Sequence, residues 1–541
     1  MTRPIRLTRP PMRGARLVRP WAASCAALAL LAAAPAAAQE PVRGGELNTF
    51  TSGYRTLNPG VQSGAATGVP GSQIFAGLAL VGADYSVAPY LAESWEVSDD
   101  ALTYTFHLVP GATFHDGEPI EAEDVAFSLE TVKANHPFGG AMFGQVETVE
   151  TPDPQTVVIR LAQPVPGLLL SLQPLLLPIL PKHVYGDGQE LRSHPRNMED
   201  VVGSGPFKVE SNDLERGLVL VRNEDFFLEG KPYLERIVMP RIPDPLARSL
   251  MLENGEIDLA GFAGLTPQAA DRLEDEDHLT VTTEGYGAIG YVHYLEMNLR
   301  EKPFSDRAVR EALAHAIDTE FLSKVIFRGR ATPGEGPLHT GNPFHAGDLP
   351  GYAPDLELAA RMLDAAGYPV GEDGTRFAFE LDVPTWAPQA HRPMAEYIKS
   401  QMGKLDIAVT LRPSADFASW AQKIGSFGYQ ATMNGSFNYP DPVIGMHRHF
   451  DCDNIRNVIW ANTQGYCDPK MDEMLDAAAI EMDEAARKAI YADIQAKAIE
   501  DVVFIWMPQD YTTSVWNDRV QNPPEGAFGP LAPWMDVWLK D

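Results

Sequence analysis

Cysteine is scarce in this chain, three residues in 541, and basic residues are few. There are 43 Lys and Arg against 73 Asp and Glu, a formal net charge of −30. A surface this acidic repels nucleic acid and anionic membrane, which excludes both as partners. The sequence has no H-E-x-x-H, G-x-S-x-G, Ser-x-x-Lys or P-loop pattern. Without an organised nucleophile, base or phosphate cradle, the chain reads as a non-enzyme, and no cofactor is expected. Internal repeats and low-complexity linkers are absent as well.

What is present begins with an export signal. Arginines at 3, 6, 9, 13, 16 and 19 stand with no acid among them. Trp21 to Ala34 is almost wholly apolar, and Ala36-Ala37-Ala38 offers a small-residue cleavage site before Gln39. Charged, apolar and small-residue regions in that order predict a cleaved secretory signal over residues 1–38 and a periplasmic product. Met12 would open a more ordinary signal than Met1. Cys25 precedes the apolar core, which argues against a lipoprotein. Removing six of the 43 basic residues takes the net charge to about −36. The mature chain of about 503 residues exceeds a single core and predicts two or three domains.

Only Cys452 and Cys467 then remain. In an oxidising compartment an even count favours a pair, here closing a loop of 14 residues at about 3 kcal/mol in the chain-entropy model. Metal ligation competes, but the spacing fits no zinc pattern.

From Leu91 to Glu130 the chain reads LAESWEVSDDALTYTFHLVPGATFHDGEPIEAEDVAFSLE. Thr103 to Leu108 alternates as a half-buried strand, and Phe114-His115-Asp116-Gly117 predicts a second short strand and turn. Glu121, Glu123 and Asp124 favour a helix start by complementing its dipole. W-E-V-S-D-D, L-x-P-G-x-x-F-H-D-G-x-P and A-x-D-V-x-F-S together resemble the signature of the dipeptide/oligopeptide/nickel solute-binding proteins, the receptors of ABC importers. Gly203-Ser204-Gly205-Pro206-Phe207, V-R-E-A-L-A-H-A-I-D and A-R-M-L-D-A-A-G-Y are similar to further landmarks of that family.

The resemblance implies an α/β fold, a two-lobe clamp with an inserted subdomain. The first lobe would comprise 39–81, 203–285 and 505–541, the insertion 82–202 and the second lobe 286–504. Within the second lobe, Ser305-Asp306 should cap a helix that buries Val309, Ala312, Leu313, Ala316 and Ile317. A second helix should span Leu356 to Ala366 and a third Met394 to Lys404. Gly285-Tyr286-Gly287-Ala288-Ile289-Gly290 matches G-x-G-x-x-G, yet strands flank it on both sides. Gly285 and Gly287 therefore read as an interlobe hinge.

The expected partners are a small solute, peptide-like first, and the transmembrane subunits of an ABC permease, with the receptor itself a monomer. In relatives, the segment MNGSFNYPDPVIGMHRHFDC at Met433–Cys452 holds the peptide amino terminus, and its loop carries a disulfide. Where those receptors place an aspartate, two residues before Pro440, this chain has Asn438. Tyr439, Asp441 and Arg448 join it as candidate ligand residues. The stretch holding an arginine for the peptide carboxylate is here Val383-Pro384-Thr385-Trp386-Ala387-Pro388. Thr385 and Trp386 become candidates, Trp386 for stacking on a ring or apolar group or else as a buried structural residue. Both charged anchors of a dipeptide are absent, so an oligosaccharide, opine-like conjugate or metal chelate is the alternative solute. His447-Arg448-His449, read as a strand, allows a metal or anion site or else an exposed cationic edge. A secreted enzyme or chaperone-like protein is the reading outside the class.

Overall fold

The computed structural model describes residues 40–540 except Ser63, Ala263 and Tyr511, so the expected signal peptide lies outside the described residues. Pro41 onward packs as one compact unit. Among the described residues, no helix is long and apolar enough to cross a membrane.

The architecture is mixed α/β, built on separate sheets. A six-stranded sheet runs in the order Ala331–Thr332, Phe504–Asp510, Tyr291–Met297, Ala431–Phe437, Phe377–Val383, Ile407–Pro413. Its central strands are covered on both faces, which explains their almost unbroken burial. Leu295, Met297 and Met433 face one core with the helices Arg307–His315, Leu356–Ala365 and Pro388–Gly403. Val292 and Tyr294 face the other with Pro469–Ile480 and Glu484–Glu500. Asp306 caps its helix by accepting from Ala308 N, and Val309, Ala312 and Leu313 point inward as their spacing requires. Val309 and Leu313 each contribute roughly 1.5–3 kcal/mol by leaving water.

Two smaller sheets draw strands from distant parts of the chain. One orders Glu46–Asn48, Arg236–Pro240, Gly217–Arg222 and Phe207–Asp213; the other orders Leu259–Ala260, Ser514–Asn517 and Leu279–Thr282. Between the first two segments, residues 92–161 make an antiparallel four-stranded sheet of their own. Tyr104, Phe106 and Leu108 alternate inward there, with Val157, Ile159 and Leu161 beside them, against Val125, Leu129 and Val132 of helix Ala122–Asn135. Asp124 reaches back to Glu121 N at 2.9 Å, one arm of a capping box.

Four expectations need correction. Phe504–Asp510 pairs with Tyr291–Met297 and Ala331–Thr332, so the chain leaves the six-stranded sheet after Asp510, not at 505. The third helix begins at Pro388, six residues before Met394, and carries Pro393 in its second turn. His447–His449 is one 3₁₀ turn after the short helix Pro442–Gly445, not a strand. Phe114–Gly117 is a turn with a single bridge, Thr113 to Pro119, because its polar groups bond outward instead. His115 N donates to Gly203 O at 2.9 Å, its Nε2 lies 3.0 Å from Gly205 O, and its Nδ1 accepts from Gly203 N at 3.1 Å. The H-D-G and G-S-G-P landmarks are thus two halves of one joint. Gly205 is required there, since a Cβ would lie 2.6 Å from Gln73 O.

Candidate functional site

A row of aromatic rings connects the three-stranded sheet to the edge of the six-stranded one. Phe262 follows Leu259–Ala260, and its ring centroid lies 6.4 Å from Phe437. Phe437 lies 5.5 Å from Tyr291, Tyr291 5.8 Å from Trp386, Trp386 6.3 Å from Trp460, and Trp460 5.7 Å from Phe417. The antiparallel pairing Tyr291 to Phe437 and the parallel run of Phe377–Val383 beside Ala431–Phe437 bring these residues to one end of the sheet. That end carries the carboxyl termini of two parallel strands, where open α/β sheets bind ligands. Five of the rings are half-buried and Phe417 is 36% exposed, whereas the neighbouring core ring Trp420 is 1% exposed.

The backbone is strained around the row. Phe262 has φ 48°, Ala387 50°, Tyr439 57° and Trp460 62°. Non-glycine residues in this region cost about 1–3 kcal/mol each and gather at ligand clamps. Phe262, the turn at Trp386–Ala387 and Trp460 are held from behind. Phe262 N donates to Tyr286 Oη at 3.0 Å, and that hydroxyl lies 2.5 Å from Ser514 Oγ. The Trp386 carbonyl accepts from His391 Nδ1 at 3.1 Å, which leaves Nε2 of the neutral ring to accept from His293 Nδ1, also at 3.1 Å. Both histidines are fully buried, and burial depresses their pKa, that of His391 to about 3. Trp460 Nε1 is shared between Asn434 Oδ1 at 3.2 Å and Gly435 O at 3.0 Å. The Asn434 amide is oriented by donating to buried Glu296, which also accepts from Tyr429 and Thr463. Burial pushes the Glu296 carboxyl up, opposed by the Thr463, Tyr429 and Asn434 hydrogen bonds.

Cys452 and Cys467 are joined in a disulfide with Cα atoms 4.7 Å apart, which closes the loop bearing Trp460. The metal reading of these cysteines gives way, because each Sγ is bound to the other. Asp472 accepts from Cys452 N at 3.1 Å beside the disulfide.

Of the other predicted site residues, Tyr439 and Arg448 pack on Phe138 of the insertion, while Asn438 bonds within the second lobe. Asn438, 2% exposed, accepts from His339 N and donates to Pro337 O at 3.0 Å, while its own N–H bonds Ile289 O at 2.8 Å. Its amide therefore clasps a remote loop at the position where the relatives place their aspartate. Tyr439 sets its ring 5.2 Å from Phe138. Asp441 forms a buried two-pronged ion pair with Arg487 at 2.7 and 2.9 Å and caps the next helix through Val443 N. Arg448 donates to Gly445 O and Phe437 O, its guanidinium 4.5 Å over the Phe138 ring. His447 Nε2 meets Tyr491 Oη at 2.9 Å and His449 Nε2 meets Ser436 Oγ at 3.2 Å. His449 is buried, His447 is half-buried and the two turn to different partners, so the shared face and the exposed cationic edge both fail. Thr385 is exposed beside Trp386.

Residues 283–290 link Leu279–Thr282 to Tyr291–Met297, the two sheets that the row connects. Gly285 has φ 88°, whereas a Cβ on Gly287 would lie 2.9 Å from Tyr85 Oη. A cavity of about 110 Å³ opens beside Phe262, lined by Thr49, Thr51, Arg248 and Trp534 among others. A larger cavity, about 770 Å³, lies toward Phe504 and Trp506, beside the opposite end of the strands that carry the row.

The family model for bacterial extracellular solute-binding proteins, family 5 (middle region), matches residues 86–457. The chain belongs to this family. It is 26% identical to the glutathione-binding protein GsiB of Pectobacterium atrosepticum over 511 residues, 92% of this chain and 94% of that one. It is 27% identical to heme-binding protein A of Haemophilus influenzae over 482 residues, covering 84% and 82%. The oligopeptide-binding protein AppA of Bacillus subtilis, solved with a nonapeptide, superposes with a TM-score of 0.81 at 21% identity, over 93% of this chain and 100% of that one. The fold is accordingly the α/β two-lobe clamp with an inserted subdomain. The role is that of a solute-binding component of an ABC transporter, and its relatives are binding proteins.

Phe262, Tyr291, Phe417, Phe437 and Trp460 were not singled out from sequence. Trp460 carried a signal, being a tryptophan inside a short cysteine-bounded loop.

Proposed function

We propose that this solute-binding protein captures a peptide or peptide-like solute between its lobes in the periplasm and delivers it to an ABC permease. The observation that carries the reading is the ring row, which joins both lobes beside the linker at residues 283–290. A solute seated there gains contacts from both lobes only when they are closed, and so shifts the equilibrium toward the closed form. Gly285 serves as a hinge, and Thr385 and Trp386 border the solute. Asn438, Asp441 and Arg448 brace the cleft from behind. The names of the glutathione-binding and oligopeptide-binding relatives support a peptide-like solute.

The absence of both charged anchors, with Asn438 and Trp386 in their places, favours a solute without a zwitterionic dipeptide's paired charges. A non-peptide solute is the second reading on that ground. Native mass spectrometry of gently purified protein identifies any retained solute, and small-angle scattering with that solute added back reads closure. Compaction is expected; an unchanged radius at saturation refutes the clamp mechanism.

A further inference from the structure

We infer that the ring row is a specificity-determining subsite for an aromatic or flat apolar group of the solute, with Trp460 and Phe417 as its principal contacts. The inference rests on the receptor reading above and names the class of solute that the cleft selects.

Three independent features converge on these rings. The first is incomplete burial of large aromatic surface: Phe417 is 36% exposed and Trp386 and Trp460 are half-buried, beside a fully packed Trp420. Removing such faces from water is the main favourable term available to a ligand here. The second is strain at the residues that present them, φ 62° at Trp460 and 48° at Phe262. The third is the apparatus behind Trp460. The Cys452–Cys467 disulfide closes its loop, and Glu296 turns the Asn434 amide so that its oxygen, not its nitrogen, meets the indole N–H. With its N–H engaged, the indole offers the solute a rigid face and edge, which recognises a ring or flat hydrocarbon. Charges flank the row: Arg448 donates to Phe437 O, Asp416 caps the helix carrying Phe417, and Arg55 of the first lobe lies close enough to act on Asp416. Asp416 is held below the usual carboxylate range chiefly by Ser419, with Arg55 a lesser cause. That pair can settle the polar backbone of a solute while the rings choose its side chain.

The test incubates the protein with a tryptic digest of casein, removes unbound material and reads the retained peptides by mass spectrometry. Wild type should enrich Phe-, Tyr- and Trp-bearing peptides on the order of tenfold over the digest, the range expected of one ring stacked at about 1 kcal/mol or slightly more. Phe417→Ala removes an exposed ring without threatening the core and should lower that enrichment several-fold. Trp460→Ala should abolish it, and Trp460→Phe should keep part of it. Peptides retained without aromatic enrichment, or enrichment unchanged in both alanine variants, overturn the subsite and leave the receptor reading standing. Retention of no peptide at all overturns the peptide reading and this inference together.

Discussion

Replacing Asn438 with Asp separates a ligand contact from a structural clasp. The Asn438 amide uses both of its functions, accepting from His339 N and donating to Pro337 O at 3.0 Å, inside a site 2% exposed. Aspartate preserves the acceptor and loses the donor. It also sets an ionised carboxylate against the Pro337 carbonyl, both oxygens electron-rich and neither able to donate. Leaving a buried acceptor unsatisfied costs about 1–3 kcal/mol, and the buried charge adds to that until the group protonates. We expect Asn438→Asp to destabilise the protein by about 2–4 kcal/mol at neutral pH. The cost should depend on pH in a definite direction. Burial and the facing carbonyl raise the folded-state pKa of the new carboxyl above its unfolded value of about 3.9. The penalty relative to wild type is therefore full above the folded pKa and shrinks as pH falls through it, because the protonated acid regains a donor for Pro337 O. Urea midpoints of both proteins across a pH series read this directly. Unchanged stability, together with a gain in affinity for peptides bearing a free amino terminus, would refute the clasp and restore Asn438 as the ammonium partner.

Other outcomes follow from the same geometry. Asp441→Asn should cost about 3–5 kcal/mol, since it leaves Arg487 buried without its carboxylate, and chemical denaturation measures it. Thiol counting on unreduced, denatured protein should find Cys452 and Cys467 blocked. Reduction should weaken solute binding through the Trp460 loop while leaving the far-ultraviolet spectrum of both lobes intact. His115→Ala should cost about 2–3 kcal/mol by opening the joint at Gly203 and Gly205, again read as a shift in urea midpoint. Burial lowers the pKa of His115 and His339 to about 4 and of His136, His391 and His447 to about 3. Each is neutral in the fold and protonates first when unfolded, so stability should fall as pH drops from about 6.5 toward 4; a flat profile there would contradict the burial.

Much of the fold was legible because it rests on local rules. Alternation at Thr103 to Leu108, the cap at Asp306, and the periodicity of Val309, Ala312 and Leu313 each depend on neighbours within a turn or two. The landmarks spread along the chain pointed to the two-lobe clamp, and the family match agrees. Boundaries that depend on pairing were harder. Phe504 to Asp510 reads as a strand in any sheet, and only its register with Tyr291–Met297 assigns it to the second lobe. Phe114 to Gly117 has the composition of a strand and turn, yet its hydrogen bonds go to glycines nearly ninety positions onward.

The candidate site shows the same division more sharply. From the sequence alone came the clamp, the pairing of Cys452 with Cys467 as the favoured reading, and Trp386 as a candidate ligand residue. Tertiary structure decided which of the candidate side chains are engaged with partners inside the protein. Asn438 finds its partners 99 and 101 positions away, and Asp441 finds Arg487 46 positions on. The rings of Phe262, Phe437, Tyr291, Trp386, Trp460 and Phe417 come from six separate stretches of chain. A hydrogen bond or a stacked ring is set by distances of a few ångströms in space, and the spacing of residues along the chain does not encode those distances once the partners lie in different elements.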